Sequence, residues 1–311
     1  MSKSYLAFDT SNYTTSAAVY TDGEIAHSRK LLPVKEGSAG LRQSDAVFHH
    51  VSQLPGVFAQ LDVSPLNIEA VGASFTPRSE AGSYMPCFTV GSGCAEIVSH
   101  LLGVPLYRFS HQQGHIAAAV FSCGKTELLS REFIAFHVSG GTTEAVLVSP
   151  DKEDIISTKI IAKTLDLNAG QAIDRIGLKL GLKFPCGAAL ETLALKSTAQ
   201  FKPKPTLKGS DCCLSGLENK CNDMLKRGSS GEDAALYCLK YIEATLLKMS
   251  LSLIKEYGDL PLLYAGGVMS NSIIRRGLSE RLECSFAKPE FSSDNAAGVA
   301  YLTKLRHEVI L

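Results

Sequence analysis

The chain has 311 residues, enough for two lobes of ordinary domain size, and its 31 Lys and Arg balance 31 Asp and Glu. That balance excludes a general nucleic-acid coat protein, so any RNA contact is expected at a local basic patch or through a partner subunit. Nine Cys without a C-x-x-C pair exclude a zinc ribbon or disulfide framework, and with no run of ~18 apolar residues and no signal peptide, the expectation is a cytoplasmic protein away from membranes.

In chain order, residues 5–19 read as strand, polar turn and strand, and Asp22-Gly23 then signals a hairpin into a third strand over 24–30. A helix is predicted around 44–61 and a strand over 70–75. A Gly- and Ser-rich segment, 76–93, leads into a helix ending near Leu102, and 104–109 form a short strand. Ser110 is placed to cap a helix over 111–121. The pattern then restarts: a strand over 133–138, a Ser-Gly-Gly-Thr turn and a strand over 143–148. A long amphipathic helix is predicted over 233–257, a strand over 260–265 feeding Gly266-Gly267, a helix over 270–282, and a last helix opened by Asp294.

The restart has a register. An ungapped shift of 128 residues places Leu6-Ala7-Phe8 over Ile134-Ala135-Phe136, Ser11 over Ser139, Thr14-Thr15 over Thr142-Thr143 and Ala17 over Ala145. Two strand–turn–strand units with matching turns predict an α/β protein of two related lobes, 1–128 and 129–311. The second lobe holds a helical insertion, and the last helix is in a position to pack back on the first. Opposed turns of this kind cradle phosphates with backbone N–H groups in kinase-like clefts; chance similarity between two hairpins is the alternative.

His111-Gln-Gln-Gly-His115 puts two imidazoles at i and i+4 on one helix face, a spacing that suits one metal ion and equally suits ordinary surface or core histidines. The Gln-Gln interior excludes the H-E-x-x-H protease motif, which needs a general-base Glu. Asp294 is either a third ligand or a helix cap. Ser139-Gly-Gly-Thr142 follows an apolar strand, so it is either an anion-approach loop or a plain hairpin turn. Ala265-Gly-Gly-Val268 is a strand–Gly-Gly–helix junction that aims helix N–H groups at a ligand, without being a Walker or dinucleotide motif. Asp174 is either a ribose ligand or a solvated helix carboxylate.

Taken in order, these segments resemble the threonylcarbamoyladenosine transferase family, once labelled glycoproteases, over nearly the whole chain. The blocks are Asp9-Thr-Ser11, His111-Gln-Gln-Gly-His115, Val138-Ser-Gly-Gly-Thr142, Asn168-Ala-Gly-Gln-Ala-Ile-Asp174 with Phe184-Pro-Cys-Gly187, Leu214-Ser-Gly-Leu217, Gly266-Gly-Val-Met-Ser-Asn271 and Ser293-Asp-Asn-Ala-Ala297. The resemblance implies an actin/sugar-kinase/Hsp70-like fold with duplicated mixed-sheet lobes. It implies one divalent ion per chain, iron or zinc, on His111, His115 and Asp294. It also implies an adenylate held by Ser11, Val138, Ser139, Gly140, Gly141, Thr142, Asp174, Gly187, Gly266, Gly267 and Asn271. The implied reaction moves a threonylcarbamoyl group from its adenylate to the exocyclic amine of a tRNA adenosine beside the anticodon, with AMP leaving and no residue assigned as a nucleophile. A heteromeric tRNA-modification complex is the implied setting.

The departures from the family pattern cluster near the reacting centre. Tyr13-Thr14 stands where the family has an acidic pair, Thr142-Thr143 where it has His-Thr, and Gln171 where it has Glu; the segment 76–90 carries Arg78 and Glu80 in place of a glycine-rich run. Two other outcomes therefore stand beside orthodox transfer: a non-catalytic or altered-substrate nucleotide-binding paralogue, and a phosphotransferase or carbamoyltransferase on the same fold.

Overall fold

A computed structural model describes residues 2–11, 13–33, 41–63, 66–80, 82–291 and 296–310. The first elements are β1 (Lys3–Ser11), β2 (Thr14–Thr21), β3 (Glu24–Leu31), α1 (Gln43–Phe58), β4 (Asn67–Thr76), α2 (Phe88–Leu102), β5 (Leu106–Ser110) and α3 (His111–Cys123). There follow β6 (Phe133–Val138), β7 (Thr143–Asp151), β8 (Ile155–Lys163), α4 (Ala169–Lys179), α5 (Gly187–Ala194), β9 (Leu207–Lys208) and β10 (Asp211–Cys212). The chain continues through α6 (Ser215–Lys226), α7 (Gly231–Tyr257), β11 (Leu262–Ala265), α8 (Ser272–Ser279), β12 (Cys284–Phe286) and α9 (Ala296–Ile310). Two compact units result. Unit 1 comprises 1–130, 149–158 and 290–311; unit 2 comprises 131–148 and 159–289.

Each unit is built on one five-stranded mixed sheet, ordered β3-β2-β1-β4-β5 in unit 1 and β12-β11-β6-β7-β8 in unit 2. In the first, β1 runs antiparallel to β2 and parallel to β4, and β5 continues parallel. In the second, β6 runs antiparallel to β7 and parallel to β11, and β12 continues parallel. The repeat extends to register. Phe8 pairs with Ala17 and Leu6 with Val19; adding 128 gives Phe136 with Ala145 and Ile134 with Leu147, which are the observed pairs. The duplicated, mixed-sheet architecture expected from the sequence is therefore present.

β1 is buried from Ser4 onward because both its faces are covered. Leu6 and Phe8 pack with Leu54 and Val57 of α1 and Ala95 of α2, whereas the ring of Tyr5 meets Tyr20 and the His307 ring of α9. The final helix thus belongs to unit 1. It approaches α3 so closely that a Cβ on Gly298 would overlap the carbonyl oxygen of Gly114. Unit 2 has its own core, in which Phe136 and Tyr264 stack beneath the Ile242, Leu246 and Met249 side of α7.

One expected boundary is corrected. The helix predicted over 270–282 is a 3₁₀ turn, Gly267–Ser270, followed by α8, because the Asn271 side chain accepts from the amides of Ile273 and Ile274 at 3.1 Å and caps a new helix. The helix expected around Asp174 is α4, whereas β8, α5 and α6 were not anticipated as elements; their short, mixed segments carry no long periodic pattern. No described helix is long and apolar enough to cross a membrane.

Candidate functional site

In unit 1 the polar residues converge on Asp9. It follows the apolar run 5–8 within β1, is fully buried, and serves three elements at once. The amide of Ser11 donates to its Oδ1 at 2.9 Å, Ser74 of β4 donates to its Oδ2, and His111 Nδ1 lies 2.9 Å from the same Oδ2. Burial alone would raise the pKa of Asp9. The adjacent His111 ring and the hydrogen bonds from His111, Ser74 and Ser11 outweigh it and hold the carboxyl below the usual range.

The cap of α3 explains the presentation of its histidines. Ser110 Oγ accepts from the Gln113 amide, and Gln113 Oε1 accepts from the Ser110 amide at 2.7 Å, a capping box that fixes the first helical turn. Gln113 Nε2 also donates to the Ile156 carbonyl at 2.7 Å, and Gln112 Oε1 accepts from Thr158 at 2.9 Å. The Gln-Gln interior is therefore structural. The two rings of the motif come together: His111 and His115 have centroids 4.6 Å apart, nearly perpendicular. An Nδ1–H given to Asp9 leaves Nε2 as the lone-pair atom of a neutral His111, the arrangement by which a carboxylate orients a metal-ligating imidazole. Donor type, ring separation and outer carboxylate all fit a divalent ion of the iron or zinc kind. Asp294 lies outside the described residues, and among the described residues no group of three or more His, Cys, Asp or Glu is placed to hold a metal.

In unit 2 the glycine turns meet one another. Ser139 Oγ accepts from the amides of Gly141 and Thr142 at 3.3 and 3.1 Å, and the Ser139 amide donates to the Thr142 carbonyl at 2.7 Å, closing the β6–β7 turn. The N-terminus of α4 abuts that turn. Gly170 donates its amide to the Ser139 carbonyl at 3.1 Å, and Ala169 donates to Thr143 Oγ1 at 2.8 Å. Gly266, at φ +100°, lies against Val138, whose carbonyl a Cβ would overlap. Val138, Ser139, Gly140, Gly141, Thr142, Gly266 and Gly267 thus share one corner of unit 2.

Asp174 and Gly187 form a second pairing. Asp174 Oδ1 accepts from the Cys186 amide at 2.8 Å, which ties α4 to the first residue of α5, Gly187. Burial raises the Asp174 pKa and the Cys186 bond opposes that rise. α5 in turn reaches Asn271's helix: Glu191 Oε1 accepts from the Ser272 amide at 2.7 Å. Gln171, where the family resemblance leads one to expect a carboxylate, accepts from the Asn168 amide at 3.2 Å and closes the α4 cap. Sequence reasoning missed Asp9 as the organiser of the histidines, together with Ser74, Gln112 and Gln113. A carboxylate directly after the apolar run 5–8 was the available signal for Asp9.

Two mixed sheets that match in strand order, direction and register define a protein of the actin/sugar-kinase/Hsp70 class. Solved structures agree at the level of fold: HypF from T. kodakarensis superimposes with a TM-score of 0.63 at 14% identity over 98% of this chain, and full-length HypF in its phosphate- and nucleotide-bound form with 0.61 at 12%. The chain spans about half the length of those HypF chains, 48% and 46%. Within the class, the chain belongs to the tRNA N6-adenosine threonylcarbamoyltransferase (TsaD) family, whose sequence profile matches residues 39–301. It is 29% identical to the enzyme of that name from Thermosipho africanus, over 95% of this chain and 92% of the relative. The corresponding protein of Methanopyrus kandleri is 26% identical over 93% and 83%.

Proposed function

We propose that this chain is an altered-substrate, nucleotide-binding paralogue of the tRNA threonylcarbamoyltransferases. Unit 2 binds an adenine nucleotide at the turns around Ser139 and Gly266, with Asp174, Gly187 and Asn271 at the nucleoside. Unit 1 binds one iron or zinc ion on His111 and His115, and Asp294 is the proposed third ligand. When bound, the ion supplies a Lewis-acidic template for substrate oxygens. Asp9 holds His111 in the ligating tautomer, and the capping box keeps both rings on one face. In the transfer itself, an RNA adenosine amine attacks the carbamoyl carbon, the bond to the phosphate oxygen breaks, AMP leaves, and the amine proton passes to solvent.

The observation that carries the altered-substrate reading is Gln171. An amide stands where the family pattern has a carboxylate, and its oxygen is committed to the cap of its own helix. With Thr142 in place of His and hydroxyls at Tyr13 and Thr14, no carboxylate or imidazole replaces those family groups, and lost acid–base assistance typically lowers rate by ~10²–10⁴. The purified, metal-loaded chain is expected to bind AMP and ATP yet modify unmodified tRNA slower than an orthodox family member by about that factor. Turnover equal to the orthodox enzyme overturns the reading in favour of ordinary threonylcarbamoyl transfer. Failure to bind any adenine nucleotide removes both.

A further inference from the structure

The overall charge balance hides a division between the units. Unit 1 carries 11 Lys and Arg against 16 Asp and Glu, a net of −5; unit 2 carries 20 against 15, a net of +5. Within unit 2 the excess is concentrated in residues 159–208, with nine basic residues and three acidic ones. All three acids are engaged in hydrogen bonds: Asp166 with Leu214 and Ser215, Asp174 with Cys186 and Glu191 with Ser272. Of the nine bases, Arg175 and Lys179 pair with Glu218. Lys183, Lys196, Lys202, Lys204 and Lys208 are exposed, and among the described residues none is in an ion pair.

The chain after α5 lays four of these lysines out in a line. It is pinned along α7 by Ser197 to Asp233 at 2.5 Å, by the Phe201 ring on Tyr237 at 5.3 Å, by Lys248 to the Pro205 carbonyl at 3.0 Å, and by Ser210 to Ser252 at 2.9 Å. From 233 to 252 α7 rises about 28 Å at its ~1.5 Å per residue, the length of several backbone phosphates. The sequence Phe201-Lys-Pro-Lys-Pro-Thr-Leu-Lys208 alternates in exposure, with 202, 204, 206 and 208 outward and Pro205 buried. An extended chain places such residues on one side, and the two prolines restrict it to that form. At the end where this strip begins, Leu180 and Leu193 flank Gly231 in the first turn of α7. Four residues beyond Leu180, Phe184 stands 71% exposed beside Lys183.

We propose that Lys183, Lys196, Lys202, Lys204 and Lys208 form a strip on unit 2 that binds the phosphate backbone of an RNA, with Phe184 as the platform on which an unpaired base stacks. A linear cationic array with an exposed aromatic ring fits a single-stranded or looped RNA, since phosphates contribute affinity and any base offers a face to the ring. An anionic lipid surface would call for an apolar stripe along the lysines; Leu195 is exposed beside Lys196, but outward position 206, between Lys204 and Lys208, is Thr. The inference rests on the reading that the acceptor is RNA.

Fluorescence anisotropy with a labelled, unmodified tRNA transcript tests it, alongside AMP binding by calorimetry on the same samples. The triple variant K202A/K204A/K208A is expected to lose at least tenfold in affinity and to shallow the log K against log salt slope by about 2–3. Phe184→Ala is expected to weaken binding roughly fivefold to a hundredfold without changing that slope, and Phe184→Tyr to restore it. Thermal midpoints and AMP affinity stay at the wild-type values in all three. Unchanged tRNA affinity in the triple variant, no tRNA binding by the wild type, or equal binding to phosphatidylserine vesicles each overturns the strip. Loss of AMP binding in the wild type instead overturns the nucleotide reading and leaves the anisotropy result to stand on its own.

Discussion

Asp9 and His111 are 102 residues apart in the chain and 2.9 Å apart in the structure, a buried carboxylate fixing the orientation of a helix-borne imidazole. Outer-shell carboxylates of this kind set metal affinity through the tautomer of the ligand. Asp9→Asn, which keeps the shape and removes the charge, is expected to weaken iron or zinc binding by about 10–100-fold. Metal titration of the apo-protein measures this directly, and His111→Ala and His115→Ala give the limit of no stoichiometric metal. An affinity in Asp9→Asn equal to wild type disconnects the carboxylate from the site.

Asp174 has two readouts. Its hydrogen bond to the Cys186 amide links α4 to α5, so Asp174→Ala leaves a buried donor without its acceptor and is expected to cost about 1–3 kcal/mol of stability. If the same carboxylate also receives ribose hydroxyls, AMP affinity falls roughly ten- to a hundredfold. Denaturant unfolding and calorimetry separate the two effects: a stability loss with unchanged AMP affinity makes Asp174 purely structural.

Restoring the groups that the family pattern carries is the converse of the proposed function. Gln171→Glu retains the capping box, because Glu closes it as well as Gln does. Combined with Thr142→His, it is expected to raise threonylcarbamoyl transfer at least tenfold at saturating adenylate. Initial rates on unmodified tRNA measure this, and no gain would show that the missing ionisable groups are not what limits the chain.

His50 gives the fold a pH dependence. It is buried, its Nδ1 is 2.8 Å from Thr15 Oγ1, and burial pushes its pKa down to about 4, against the opposing pull of Asp9. The unfolded chain takes up this proton near pH 6.5 and the folded chain only near 4. The contribution of neutral His50 is therefore complete above pH 6.5 and lost as pH falls toward 4. The expected loss is on the order of 2 kcal/mol. Thermal midpoints between pH 7.5 and 4.5 should fall more steeply for wild type than for His50→Asn; parallel slopes assign the acid sensitivity to other groups.

Gly266 is irreplaceable for two reasons, a φ of +100° and contact with the Val138 carbonyl. Gly266→Ala is expected to destabilise unit 2 by on the order of 3 kcal/mol. A thermal midpoint within a degree of wild type would show that the corner between β6 and β11 can open without loss.

The elements with long periodic patterns were legible from residues alone. These include β1 and β2, α1, α7 and the Ser110-capped α3, each with a repeating apolar face or a local cap that sequence displays directly. The duplication was legible too, because a 128-residue shift superposes the flanking apolar strands and the Ser and Thr that bound each turn. The segment from β8 to α6 was not, since its short elements are held by distant partners, such as Asp166 capping α6 through Leu214 and Ser215. The 3₁₀ turn before α8 was hidden for a related reason: Asn271 can continue a helix or cap one, and local propensity does not decide between them.

By itself the sequence determined the paired strand–turn–strand units, their shared register, the pair of imidazoles on one helical face and the family, because each is written in local periodicity or in ordered motifs. Only the tertiary structure decided that Asp9 and Ser74 meet at His111, that Gln112 and Gln113 are structural, and that Gln171 closes its own helix. It also decided that the lysines of 196–208 lie in a line along α7. These relationships depend on which distant backbone and side-chain groups are brought within hydrogen-bonding reach. That is set by how the sheets and helices pack, and no spacing along one chain encodes it.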